Sequence, residues 1–166
     1  TLSLHDALPI SPSEKLATPL GNAPKSFVFP PPPGTPARGE ATKWLVWMST
    51  TLQTTLMHHF YPARVLGDLD GQDACAARVS AHAQAQVGQL LGQIEAQLQR
   101  HGGDWLLGDR PTVPDYYGLM LCRWTRNFDA RPAREHPHIA PYLQRMLARP
   151  AVAKTLVVEG LPQPWV

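Results

Sequence analysis

The sequence is poor in the features that mark several large classes of protein. It has two cysteines, Cys75 and Cys122, far apart and each in a helical pattern with apolar neighbours. No disulfide framework is available to it, and both thiols are expected to be reduced, buried and inert. No apolar run approaches the roughly 20 residues of a membrane span, and the amino terminus lacks the basic and long apolar regions of a signal peptide. Its 15 basic and 13 acidic residues leave a formal charge of +2, without the blocks of like charge that bind nucleic acid or membrane surfaces. Neither partner is expected, and a cytoplasmic protein is the simplest reading. Period-two alternation is missing over any useful length, and nothing recurs at a solenoid period.

Metal and nucleophile signatures are also lacking. The seven histidines include His58-His59, which point in different directions on a helix, and His136-Pro137-His138, which has no evident set of further ligands. No metal site is expected. No Ser/His/Asp constellation stands out and no Gly-rich loop follows a strand, so no catalytic residue is assigned.

What is present is enough apolar material, 43% of 166 residues, to bury one core. Residues 1–10 read back through the genetic code as part of a widely used sequencing-library adapter, and are expected to be foreign to the gene. Residues 11–34 carry many prolines, Pro30 to Pro33 in a row, and read as a disordered linker of polyproline character. The helical domain spans residues 35–166.

Thr35 is expected to cap a first helix with Pro36 at its first position, where a missing N–H costs nothing. That helix runs toward Phe60 and stops before Pro62. A second begins near Asp70 or Asp73 and repeats Val79, Ala83, Val87, Leu90, Leu91, Ile94 and Leu98 at three- and four-residue spacing. Gly102-Gly103 ends it. After a short buried crossing segment, Trp105 to Gly108, a third helix starts at Thr112 and carries Tyr117, Leu121, Trp124 and Phe128 on one stripe. A fourth, from Pro137 or His138, turns Ile139, Tyr142, Leu143 and Met146 inward. A fifth begins at Pro150 and ends at Gly160. The fold class is therefore an all-α bundle of about five helices.

Thr112-Val113-Pro114-Asp115 is a capping box with Asp in place of the usual Glu or Gln. The threonine hydroxyl is expected to accept from the backbone N–H three residues on, while the carboxylate accepts from the threonine's own N–H. Asp115 is thus a folding residue. A bulky Trp124 nearby is, from the residues alone, a core anchor.

Read in order, Trp105-Leu106-Leu107-Gly108-Asp109-Arg110-Pro111, the Thr112–Asp115 box, Arg123-Trp124, Gln144 to Pro150 and Glu159-Gly160-Leu161 resemble the C-terminal helical domain of the glutathione transferases. The likeness covers roughly residues 33–162, and is nearest to the bacterial, beta-like members. Pro114 stands where the family usually has Ala. In such enzymes an Asn, a Thr and a His on the first helix of this domain help hold glutathione; the matching positions here are Val46, Thr50 and Gln53, of which the threonine alone is retained. Val46, Thr50, Gln53 and Met57 are expected to share one face. The resemblance implies that Thr50, Gln53, Met57 and Trp124 contribute to substrate binding; the bland alternative is that Thr50 and Gln53 are solvated polar groups.

The resemblance further implies that glutathione is a co-substrate, with no other cofactor, and that the second substrate is a small hydrophobic electrophile. The family's activating Tyr, Ser or Cys sits on a thioredoxin-like domain whose motifs do not occur here. The chain is accordingly expected to be the helical half of the enzyme, inactive alone, and a homodimer at full length. Transferase-like helical domains also serve as non-enzymatic docking modules, which is the alternative.

Overall fold

A computed structural model describes residues 31–67 and 72–166. The adapter-derived segment and nearly all of the proline-rich linker lie outside the described residues. The described part is helical: α1 (Pro36–Trp47), a π-helical turn (Met48–Leu52), α2 (Gln53–Phe60), α3 (Ala63–Leu66), α4 (Gln72–His101), α5 (Val113–Trp124), a 3₁₀ turn (Ala133–Glu135), α6 (Ile139–Leu147) and α7 (Pro150–Val158). Among these residues the sole extended pairing is one isolated bridge between Trp105 and Gly108.

Thr35 caps α1 as expected, its hydroxyl accepting from the Arg38 N–H at 3.2 Å, with Pro36 in the first turn. The expected single helix to Phe60 departs from regularity at Met48–Leu52, where the winding loosens to the π form. The local sequence supplies the cause. Ser49, Thr50, Thr51, Thr54 and Thr55 form a hydroxyl-rich, largely β-branched run whose side chains compete for helix carbonyls. Ser49 and Thr50 both donate to the Val46 carbonyl, at 3.0 and 2.8 Å, and Thr54 reaches back five residues to Ser49 at 3.3 Å. The extra residue in this turn shifts the faces on either side relative to one another. Ala41, Trp44, Met48, Leu52 and Leu56 become the buried line, whereas Ser49 and Phe60 are exposed.

The second expected helix is α4, whose Ala83, Val87, Leu91, Ile94 and Leu98 are buried. Gly102 ends it at φ 66°, in the left-handed region open to glycine, its N–H donating to the Leu98 carbonyl at 3.1 Å. The short α3 was not foreseen; four residues are too few to show a period. The core lies where α2 packs on α4 and α1 on α5, with α6 closing it through Ile139, Tyr142, Leu143 and Met146, all fully buried. α7 begins at Pro150, and Gly160 at φ 57° follows its end. Two expectations fail. Phe128, expected on the third helix, lies beyond the end of α5 at Trp124. Cys122 is buried but Cys75 is exposed, because the first turns of α4 precede the buried stripe that starts at Ala83.

Candidate functional site

Asp115 anchors the helix from which the site is built. The capping box is present, and its carboxylate does more than the sequence implies. One oxygen accepts from the Thr112 N–H at 2.6 Å and from the Thr112 hydroxyl at 2.8 Å, and the other accepts from the Leu106 N–H at 2.9 Å. The hydroxyl therefore donates to the carboxylate, and the Asp115 N–H also meets the Thr112 carbonyl at 2.9 Å. Tyr142 adds a hydrogen bond from its hydroxyl to the Asp115 carbonyl at 3.0 Å. Asp115 is 0% exposed, and burial lifts its carboxyl above the ordinary value against the pull of the bonds from Leu106, Thr112 and Tyr142. Its task is to fix the crossing segment to the start of α5.

So held, α5 presents two faces. Tyr117 and Trp124, seven residues apart, look toward α2. The Tyr117 hydroxyl donates to the side-chain carbonyl of Gln53. Trp124 meets Phe60 edge to face, with centroids 6.3 Å apart and planes at 89°. Phe60 also lies 6.4 Å from Phe128, and His59 stands 4.6 Å from Phe128. His59 is fixed by α4, its Nδ1 lying 3.0 Å from the Ser80 hydroxyl and 3.1 Å from the Ser80 carbonyl. Phe60 is 42% exposed, so one aromatic edge of this cluster remains open to solvent.

Another face of α5 turns Tyr116, Leu119 and Met120 into a concavity of about 270 Å³, completed by Leu147, Val152 and Leu156 with Leu161 and Trp165 of the tail. Arg123 holds that tail in place: its guanidinium donates to the carbonyls of Trp165 at 2.7 Å, Pro162 at 3.3 Å and Pro164 at 3.4 Å.

The sequence-derived site residues thus separate. Gln53 and Trp124 border the α2–α5 seam, with Met57 half-buried between Gln53 and Phe60 on α2. Thr50 lies in the π turn, exposed, with its hydroxyl committed to Val46. The stripe expected from Val46 through Thr50 and Gln53 to Met57 crosses that turn, so it does not run as it would on a regular α-helix. Tyr117 as the partner of Gln53, and Phe60 as the partner of Trp124, were missed. Their signal was present in the equal spacing of the two pairs, seven residues on each helix.

Neither thiol offers an evident nucleophile. Burial pushes Cys122 up to about 12, leaving it protonated at neutral pH, and Cys75 lies on α4, away from these residues in sequence. Among the described residues no three His, Cys, Asp or Glu side chains gather to hold a metal, and no helix is long and apolar enough to cross a membrane.

The comparisons with known proteins bear on the family and the fold. The family model described as "Glutathione S-transferase, C-terminal domain" matches residues 48–150. Glutathione S-transferase 3 of Zea mays is 32% identical over 141 residues, covering 78% of this chain and 59% of the maize protein. Among solved structures, a glutathione transferase from Methylococcus capsulatus aligns with a TM-score of 0.57 at 29% identity, over 80% of this chain and 59% of its own. A Sulfitobacter glutathione transferase homologue with bound glutathione shares the fold, with a TM-score of 0.64 at 18% identity over 78% and 59% of the two chains. The chain spans about three-fifths of the length of these relatives. It belongs to the glutathione S-transferase family, through that family's C-terminal helical domain.

Proposed function

We propose that this chain is the helical half of a glutathione transferase, forming the wall against which the second substrate lies while glutathione is held chiefly by a domain the chain does not span. The observation that carries this reading is the α2–α5 seam. Gln53 and Tyr117 make its polar end, Phe60 and Trp124 its aromatic end, and Phe60 is left partly open. Such a surface binds and orients a flat apolar molecule. It does not present a free hydroxyl proton to a thiolate, because Tyr117 donates its own to the Gln53 side-chain oxygen.

In the whole enzyme the glutathione sulfur, as thiolate, would attack an electrophilic carbon held here, and the leaving group would depart with the electron pair of the broken bond. Thr50, Gln53, Met57 and Trp124 are proposed to border the bound substrates, with Thr50 the most peripheral. Glutathione is consumed as a co-substrate. The full-length protein is proposed to act as a homodimer in the cytoplasm.

The test is conjugation of glutathione to 1-chloro-2,4-dinitrobenzene. The 166-residue chain should give no rate above the uncatalysed reaction, and a version joined to the thioredoxin-like domain of its own gene should turn over. Robust turnover by the chain alone would overturn the half-enzyme reading.

A further inference from the structure

The loop of residues 125–138, which joins α5 to α6, is held from inside by one imidazole. His136 is 3% exposed, and its Nε2 has no hydrogen-bond partner among the described residues. The ring bonds instead to the Arg131 backbone carbonyl, so in the neutral form Nδ1 carries the proton and donates it. That bond steadies a strained stretch: Arg131 sits at φ 44°, the one non-glycine residue with positive φ among the described residues. A second inner bond runs from the Ala133 N–H to the buried Thr125 hydroxyl at 2.9 Å.

The charges around the ring give Nε2 no partner. Glu95 faces His136 from α4, but its carboxylate already accepts from the N–H groups of His138 and Ile139. Glu135 on the 3₁₀ turn also favours a charged ring, whereas Arg131 opposes one. Burial is the largest influence and outweighs both carboxylates, so the ring takes a second proton below the ordinary value of 6.5. Two other imidazoles lie near: His138, at the start of α6, turns its ring to Glu95, and His59 meets the loop from α2 at Phe128, 4.6 Å away.

We propose that His136 is an acid-sensitive latch: a second proton, placed on Nε2, finds no acceptor inside the closed loop and drives the loop open, withdrawing Phe128 from Phe60. A lowered folded value gives stability that is full above the ordinary 6.5 and is lost as pH falls through the folded value. Relief of the Arg131 backbone favours the same direction. The aromatic end of the α2–α5 seam thereby slackens in acid, while the Gln53–Tyr117 pair, at its other end, is left in place. The latch stands on the loop's own contacts, and its failure leaves the reading of the seam as a substrate wall untouched.

The test is hydrogen exchange at the Ala133 amide of the 166-residue chain, followed by nuclear magnetic resonance and corrected for the intrinsic rate at each pH. Below the ordinary 6.5, opening should rise about tenfold per pH unit, the slope of one proton taken up, until the folded value is reached. Glu95, held below its ordinary value, stays ionised over the upper part of this range and is not the source. His136→Asn keeps an N–H for the Arg131 carbonyl without a titrating ring, and should make the exchange independent of pH there. His138→Gln and His59→Gln should leave the response in place, and in His59→Gln the Phe128 ring signals should move with the same midpoint. Exchange that does not rise in the unmodified chain, a rise unchanged in His136→Asn, a rise lost in His138→Gln, or Phe128 signals that stay still would each overturn the latch. Should His136→Asn fail to fold, the ring nitrogen signals of His136 in the unmodified chain decide: protonation sharing the midpoint of the Ala133 response supports the latch, and protonation without that response overturns it.

Discussion

Glu95 on α4 caps the start of α6 at His138. Its carboxylate accepts from the His138 N–H at 2.8 Å and the Ile139 N–H at 2.9 Å, and lies 2.5 Å from the His138 Nδ1. A helix that has no capping side chain of its own thus receives one from 43 residues earlier in the chain.

Burial alone would raise the Glu95 carboxyl, but the His138 side chain and the backbone N–H groups of His138 and Ile139 outweigh it and hold the group below its ordinary value. A depressed folded value means stability that is present above the ordinary value of 4.5 and lost as pH falls through the folded one. Glu95→Gln should destabilise by about 1 kcal/mol at pH 7. Urea midpoints of the two proteins should converge at the acid end of the titration; a gap constant with pH would exclude the charged cap.

Asp115 predicts the opposite sign. Its raised folded value makes the protonated form the better buried species, so that contribution is full below the ordinary value of 3.8 and declines as pH rises through the folded value. Asp115→Ala strands the Leu106 and Thr112 N–H groups, and should cost about 2 to 4 kcal/mol. Thr112→Ala removes the capping hydroxyl alone and should cost about 1 kcal/mol. Equal losses for the two variants in urea unfolding would contradict the bond from Leu106.

Residues 1–30 should be dispensable to the helical core, but the cut must stop there. Pro31 and Pro32 offer carbonyls to Arg38 at 3.2 Å and Thr35 at 2.7 Å. Removing 1–30 should leave helix content and the thermal midpoint unchanged, while removing 1–34 should lower the midpoint by a few degrees, as expected for loss of about 1 kcal/mol in a domain of this size. Calorimetry on both truncations decides it.

Arg123→Met keeps much of the buried stem but strands the carbonyls of Pro162, Pro164 and Trp165. The tail should detach and the apolar concavity on α5 should open. A rise in hydrophobic-dye fluorescence, with a loss of about 1 to 3 kcal/mol in stability, is the expected result. Unchanged dye binding would mean that Leu161 and Trp165 hold the tail without the guanidinium.

Most of the fold was legible because its signals are local. Thr35-Pro36, Gly102, Thr112 to Asp115, Pro150 and Gly160 each mark a helix boundary through their own backbone chemistry, and the α4 and α6 stripes follow from spacing. The site was less legible for two reasons. Tyr117 and Gln53 are 64 positions apart and meet only once the helices pack. The π turn is a collective result of five neighbouring hydroxyl residues, none of which marks it alone. Glu95 was hidden in the same way, its cap belonging to a helix that follows it by more than 40 residues.

The π turn also sets how this segment tolerates a change of length. One residue in an α-helix is worth about 100° of rotation, and the five residues of Met48–Leu52, wound in wider turns, cover about the rotation that one fewer would cover in an α-helix. Deleting a single residue there would let the run wind as continuous α-helix with the flanking faces kept. Gln53 would still meet Tyr117, and Phe60 would still meet Trp124. The turn is thus a place where the chain can lose a residue without disturbing either contact.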